Sequence, residues 1–350
     1  MKKLLALALT LSLALCLLAG CGQTKPASDP AAPQEGQDKE LEKIIFTEPV
    51  RGYHWAPAYL AQTLGYFEEE GLEAEFQTVT GGDPAAPMFA GEAQFTLAGI
   101  EMALMTNEMG QGCKILVSPT QKYPYQLIGA NEKYSTMESL KGGVIAGGQG
   151  ATSAPQAFSR TCIQAVGMTP DEDVSVVSMA SSAYAAAIQA GEIQAAVSTN
   201  PWSAKQLLDN GGVVIVDGTD EQEIKEMIGS SAYELFAIIT TDKFIQSNPE
   251  TVQKAVNAMA KAMKWMETAT PQQIVEKLLP LFEGAEEELL YDATYDQEHK
   301  IANFTGYHTE EGFKAGVEMT KLSGGIKTDM TADKVYDESF LDKAWETIGK

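Results

Sequence analysis

Three hundred and fifty residues with 48 acidic and 25 basic side chains, a net charge of −23, suffice for one large domain or two ordinary ones and exclude a disulfide mini-protein. With only two arginines, Arg51 and Arg160, the chain lacks the cations that displace counterions from phosphates, which excludes nucleic acid as a partner. A composition 44% hydrophobic and 8% aromatic excludes a disordered chain, and beyond residue 20 no apolar run approaches the roughly 18 to 20 residues that span a bilayer, so the body reads as soluble.

Residues 1–20 have the pattern of a secretory signal: Lys2 and Lys3, an apolar run from Leu4 to Leu18, then small residues. Leu18-Ala19-Gly20-Cys21 resembles the lipobox of bacterial lipoproteins, which implies cleavage before Cys21, lipid on its sulfur and a membrane-anchored, extracytoplasmic protein. Two or three acyl chains anchor firmly where one does so only marginally. Residues 21–40, rich in Gln, Pro, Ala and Ser, read as a flexible linker of roughly 25 Å. Cys113 and Cys162 remain in the body, and their spacing leaves open whether they pair.

From residue 41 the pattern alternates strands and helices: a strand over Lys43–Thr47, a helix over Ala56–Leu64 stopped by Gly65, and a strand through Leu72, Ala74 and Phe76. A helix from Ala85, a strand over Gln94–Ala98, a helix from Ile100 and a strand over Lys114–Val117 follow. A second series begins after Ser135-Thr136-Met137-Glu138, which has capping-box spacing. It comprises a strand over Gly143–Ala146, a helix over Thr152–Val166, a strand over Val174–Ser178, a helix over Ser182–Ala190 and a strand over Ile193–Ser198. Ala90-Gly91-Glu92-Ala93-Gln94 recurs one hundred residues on as Ala190-Gly191-Glu192-Ile193-Gln194, again between helix and strand, so the order of elements repeats. A strand over Leu235–Thr240 precedes a mostly helical end, with helix starts at Asn248-Pro249 and Thr270-Pro271. The expected fold is α/β with two lobes, each a parallel-rich sheet flanked by helices. The first lobe takes 41–120 and 234–350, with the C-terminal helices packed on it, and the second takes 121–233. Two crossovers, near Pro119–Gln126 and Ser231–Leu235, join them around a cleft.

In open α/β sheets ligands sit beyond the carboxyl ends of strands, where helix N-termini present free N–H groups. That rule nominates Tyr53, His54 and Trp55; Thr80, Gly81 and Gly82; Gly99, Ile100 and Glu101; the Gly148–Ser153 loop with Gly150, Ala151, Thr152 and Ser153; and Thr199, Asn200 and Trp202. The aromatic residues suit stacking on a flat ligand, with Trp55 and Trp202 as opposed jaws, and the glycine loop suits an oxygen-rich or anionic group. There is no Gly-x-Ser-x-Gly, His-Glu-x-x-His or Cys-x-x-Cys, so the expectation is a binding protein, not an enzyme, without metal or cofactor. His299 and His308 read as surface residues. Arg51 is the one candidate counter-charge near the cleft, since Arg160 lies too far along its helix.

Tyr59-Leu60-Ala61 through Gly65-Tyr66-Phe67-Glu68-Glu69-Glu70-Gly71-Leu72, Gly81-Gly82 and Ala90-Gly91-Glu92, with Leu140-Lys141-Gly142-Gly143, Val166-Gly167, Ala190-Gly191-Glu192 and Asn200-Pro201-Trp202 in the second lobe, carry a family likeness. Over residues 43–240 the chain resembles periplasmic-type solute-binding proteins for nitrate, sulfonate, taurine and thiamine-precursor pyrimidines. The resemblance implies a type 2 periplasmic-binding-protein fold and a monomer that closes on a small solute and delivers it to an ABC permease and its ATPase. Pyrimidine binders of that family commonly carry Trp-x-Pro-Asn-x-x-His before the first helix, whereas this chain has Glu48-Pro49-Val50-Arg51-Gly52-Tyr53-His54-Trp55. The aromatic character favours a flat heterocycle, with a sulfonate close behind. A tethered sensor for a membrane receptor is the other binding role. A single-turnover pyrimidine synthase of the same fold is disfavoured by the leader and by the lack of a cysteine-rich run.

Overall fold

The computed structural model describes residues 40–79, 83–148, 153–282, 287–288, 290–291 and 301–349. The leader, Cys21 and nearly all of the linker lie outside the described residues, as do Thr80, Gly81, Gly82, Gly150, Ala151, Thr152 and His299. Among the described residues no helix is long and apolar enough to cross a membrane.

Two five-stranded sheets form the framework. The first contains β1 (Glu42–Glu48), β2 (Leu72–Thr78), β3 (Phe95–Gly99), β4 (Cys113–Val117) and β10 (Phe236–Thr241), in the order β2-β1-β3-β10-β4. The second contains β5 (Gln126–Gly129), β6 (Val144–Ala146), β7 (Ser175–Val177), β8 (Ala195–Ser198) and β9 (Val213–Asp217), in the order β7-β6-β8-β5-β9. The two orders are the same pattern used twice. Each sheet is parallel except for one strand: β10 runs against β3 and β4, and β5 against β8 and β9. The reversed strand is in both cases the one that arrives from the other sheet. Sequence periodicity located β10 and every parallel strand except β9, so that β5 and β9 were not foreseen. β5 is only four residues long and follows directly on a crossover, so it has no alternation to read.

The repeated pentapeptide has a physical basis. Gly91 and Gly191 both end a helix in the left-handed conformation, with φ of 82° and 76°. Three residues later Gln94 Oε1 accepts from Ile45 N–H at 2.8 Å, and Gln194 Oε1 accepts from Val144 N–H at 2.8 Å. Each glutamine also donates its own N–H to the carbonyl of that same residue. In both halves the glutamine therefore clamps the third parallel strand to the first where regular pairing begins. Gln94→Ala and Gln194→Ala are each expected to cost about 1–2 kcal/mol by leaving a buried strand N–H unpaired, readable as a lower urea midpoint.

Ser135–Glu138 does not make a capping box. A single 3₁₀ turn follows, Glu138–Leu140, and Thr136 exchanges hydrogen bonds with Ser139, because a three-residue turn has no run of free N–H groups to cap. Thr270 and Gln273 do form a reciprocal box at Pro271–Leu278.

The crossovers pair with each other. Tyr233 N–H donates to Gln121 O at 3.0 Å, Lys122 bridges Ala232, and the Tyr123 and Tyr233 rings stack at 4.6 Å. Residues 301–306 add a third segment: Gln121 N–H donates to Ile301 O, Asn303 N–H to Pro119 O and Ser118 N–H to Gly306 O. The two crossovers and residues 301–306 are thus joined by backbone hydrogen bonds and isolated bridges. The C-terminal helices do not all rest on the first sheet. Helix Pro249–Met266 packs on helices Ala56–Thr63 and Ser339–Ile348, whereas Glu310–Leu322 contacts both Ile100–Glu108 and Ala154–Ala165 of the second half.

Candidate functional site

A cavity of about 1110 Å³ is lined from both sheets. Strand direction explains its lining. The segments beyond the carboxyl ends of β1, β3, β6 and β8 supply Arg51 to Trp55, Gly99 with Glu101, Gly148 with Ser153, and Thr199, Asn200, Trp202 and Ser203. The two reversed strands enter at the same rim with their amino ends and bring Tyr125 and Phe236. A search beyond carboxyl ends alone passes over these two aromatics, and the antiparallel direction of β5 and β10 is the signal that finds them.

On the first-sheet side Tyr53–Trp55 form a 3₁₀ turn running into helix Ala56–Thr63, with Pro57 favouring the first helical turn. The His54 ring lies flat on Phe236, centroids 4.0 Å apart and planes 6° apart, and Tyr53 lies 3.9 Å from His54. Trp55 meets Phe236 edge-on at 5.3 Å and is only 3% exposed. From the other side helix Pro201–Asp209 presents Trp202, half-buried, 6.0 Å from Tyr53. The aromatic that opposes Trp202 is therefore Tyr53, not Trp55, because Trp55 is packed into the core behind Phe236.

One hydrogen bond crosses the cleft: His54 Nε2 to the Thr199 carbonyl, 3.1 Å. A carbonyl only accepts, so Nε2 carries the proton. Burial pushes the imidazole down to about 3, so the ring is neutral and Nδ1 is a bare acceptor. That Nδ1 is shielded from solvent and has no partner. The same holds for Trp55 Nε1, Glu101 Oε2 and Ser153 Oγ, all on cavity-lining residues. Such groups each cost about 1–3 kcal/mol when left unpaired, and their concentration at one cavity is what a ligand site predicts.

Arg51 does not present a free positive charge. Its Nε donates to Glu48 Oε1 at 2.7 Å, and the guanidinium lies over the Tyr59 ring at 5.0 Å. Glu48 is fully buried and also accepts from the Tyr59 hydroxyl and, at 2.9 Å, from Thr78. The cavity carboxyl, Glu101, has no such partner. Burial pushes it up to about 7, with its own backbone N–H opposing the shift. The carboxyl folds back over Gly99, where a Cβ would collide with it, so glycine is required there for close approach and not for φ.

Of the other expected residues, Ile100 is fully buried in the core, its side chain against Gly316, because its place at the start of helix Ile100–Glu108 turns it inward. Asn200 lines the cavity but uses its side chain to cap helix Pro201–Asp209, accepting from Ser203 N–H at 2.9 Å. Gly148 lines the rim with φ of 85°. Arg160 pairs with Asp171. His308 is not a solvated surface residue: it stacks on Tyr336 at 4.3 Å, and its bond to Glu338 raises its pKa. Cys113 and Cys162 are free and buried, and burial pushes both thiols up, Cys113 to about 11.

The chain is 22% identical over 273 residues to YtlA of Bacillus subtilis (strain 168), covering 76% of this chain and 79% of the relative. Its fold is similar to that of a protein from Bordetella bronchiseptica RB50, with a TM-score of 0.70 and 20% identity over 90% of this chain and all of that one. It is likewise similar to the periplasmic sulfonate-binding protein SsuA of Methylobacillus flagellatus KT, with a TM-score of 0.66 and 16% identity over 89% and 96%. The desulfurization enzyme DSZB shares the fold too, with a TM-score of 0.65 and 13% identity over 87% and 99%, so the fold by itself does not separate binding from catalysis. A family model described as NMT1/THI5 like matches residues 53–274, more than half of the chain, and the protein belongs to that family.

Proposed function

We propose that the chain is the solute-binding component of an ABC importer, lipid-anchored through Cys21 outside the cytoplasm, and that it binds its solute without transforming it. The observation that carries this is the cavity itself, lined from two sheets, crossed by the His54–Thr199 bond and hinged on the paired crossovers. A ligand that touches both sides only when they are together shifts the population toward the closed form, which a permease can recognise. The closing units are 41–120 with 234–350 and, opposite, 121–233. The solute is a small thiamine-precursor-like heterocycle or a sulfonate-, taurine- or nitrate-type anion. A thermal-melt screen against taurine, alkanesulfonates, nitrate, hydroxymethyl-pyrimidine and thiamine tests the reading. A ligand present at one hundred times its Kd adds about 2.7 kcal/mol of stability. A melt unmoved by every solute would count against a binding role for these classes.

Trp202→Ala is expected to weaken binding at least tenfold, about 1.4 kcal/mol, by removing the second-sheet aromatic facing Tyr53. Unchanged affinity in calorimetry would reject that role.

A further inference from the structure

The unpaired groups of the cavity carry information about the charge of its ligand. On the first-sheet side two acceptors, Glu101 Oε2 and His54 Nδ1, and one donor, Trp55 Nε1, lack partners beside a wall of flat rings. Among the described residues that line the cavity the one permanent cation, Arg51, is paired with buried Glu48. Helix N-termini would favour an anion, but two of the helix starts at the rim already hold an acceptor side chain. Glu101 sits in the first turn of Ile100–Glu108, and Asn200 caps Pro201–Asp209. Helix Ala154–Ala165 begins without a side-chain cap, as do Ala56–Thr63 and Ile100–Glu108, and Ser153 Oγ beside it is unpaired. Of these groups only the Glu101 carboxyl gains a charge near neutrality, so its charge distinguishes a cationic ligand from an anionic one. Nitrate and sulfonate offer acceptors only and would place a second negative charge beside Glu101.

We propose that Glu101 reads a cationic or N–H-bearing edge of a flat ligand, such as an amidinium or an amino-substituted nitrogen heterocycle, laid against the His54–Phe236 wall, and that this carboxyl selects against sulfonate and nitrate. The inference rests on the solute-binding function proposed above. Glu101 acts by charge and hydrogen bonding, since it lines the cavity and its Oε2 has no hydrogen-bond partner among the described residues. The titratable groups that face it are Tyr125 at the start of β5 and Tyr233 on the second crossover. Burial holds both phenols protonated well above their ordinary range, so neither changes charge near neutrality.

The test compares two rings of similar size and opposite charge, benzamidinium and benzenesulfonate, by calorimetry on the full-length chain between pH 6 and pH 8. Benzamidinium stays cationic across this range. Its binding draws the proton off Glu101, so its affinity is expected to rise with pH, by up to about tenfold per unit where one proton is released. Benzenesulfonate is expected not to bind. Glu101→Gln is expected to reduce benzamidinium affinity at least tenfold and to flatten its pH dependence, with the melting profile confirming a folded chain. The slope in the wild-type protein is a separate readout should that variant fold poorly. Benzenesulfonate binding that strengthens as the pH falls, with benzamidinium inert, would overturn the assignment of Glu101 and leave the binding function standing. A flat benzamidinium profile with Glu101→Gln unaltered would also overturn it. Failure of both probes together with every solute of the wider screen would overturn both proposals.

Discussion

Glu48→Ala is expected to lower the unfolding free energy by about 3–5 kcal/mol, the usual cost of removing one partner from a buried ion pair. Glu48 is fully buried at the end of β1 and serves three donors: Arg51 Nε, the Tyr59 hydroxyl and the Thr78 hydroxyl. Deleting it leaves the Arg51 charge, three-quarters buried, and a buried phenol without acceptors. Glu48→Gln keeps an acceptor oxygen of the same reach and is expected to cost less. Urea unfolding of the two variants gives the comparison. A loss below 1 kcal/mol for the alanine variant would mean that solvent reaches the cluster and that Arg51 is available to a ligand after all. The result therefore bears on the site as well as on stability.

Stability is expected to fall as the pH rises from 5 to 8, through two carboxyls. Burial pushes Glu101 and Glu234 up to about 7 each, and Glu234 keeps one oxygen unpaired although the other accepts from Thr309 N–H and hydroxyl at 2.9 Å. A carboxyl with a raised folded pKa holds its proton more tightly in the folded state. Its contribution is full below the unfolded value of about 4.5 and is lost as the pH climbs through 7, on the order of 2 kcal/mol for each group. His308, whose pKa is raised by its hydrogen bond to Glu338, acts in the same direction. His54 acts in the opposite one: with its ring pushed down to about 3, the unfolded chain takes up a proton below 6.5 that the folded chain refuses, so stability is lost as the pH falls. Two carboxyls outweigh one imidazole, so the net slope stays downward from pH 5 to 8 and His54 only makes it shallower below 6.5. Urea midpoints across this range should show an alkaline limb that shrinks by most of its height in the Glu101→Gln, Glu234→Gln double variant. A double variant with the full limb would falsify the assignment.

Much of the site was legible because strand-to-helix loops announce themselves. Tyr53-His54-Trp55, Gly99, Glu101, Ser153, Thr199, Asn200 and Trp202 follow apolar runs and precede helical spacing, and all line the cavity. Ile100 belongs to the same loops but faces the core, since adjacent residues at a helix start point about 100° apart and one must turn inward. Phe236 and Tyr125 were missed because local pattern does not tell which way a strand runs.

The sequence by itself determined the alternation of elements, the doubled order of the two halves and the glutamine that recurs after each Ala-Gly-Glu, because these depend on periodicity and on turn chemistry within a few residues. Only the tertiary structure decided which strand of each sheet is reversed and that residues 301–306 join the crossovers. It alone decided that Arg51 is spent on Glu48 while Glu101 faces the cavity unpaired. Ion pairing and desolvation act through space at a few ångströms, and the spacing of residues along the chain does not record which charges will meet when it folds.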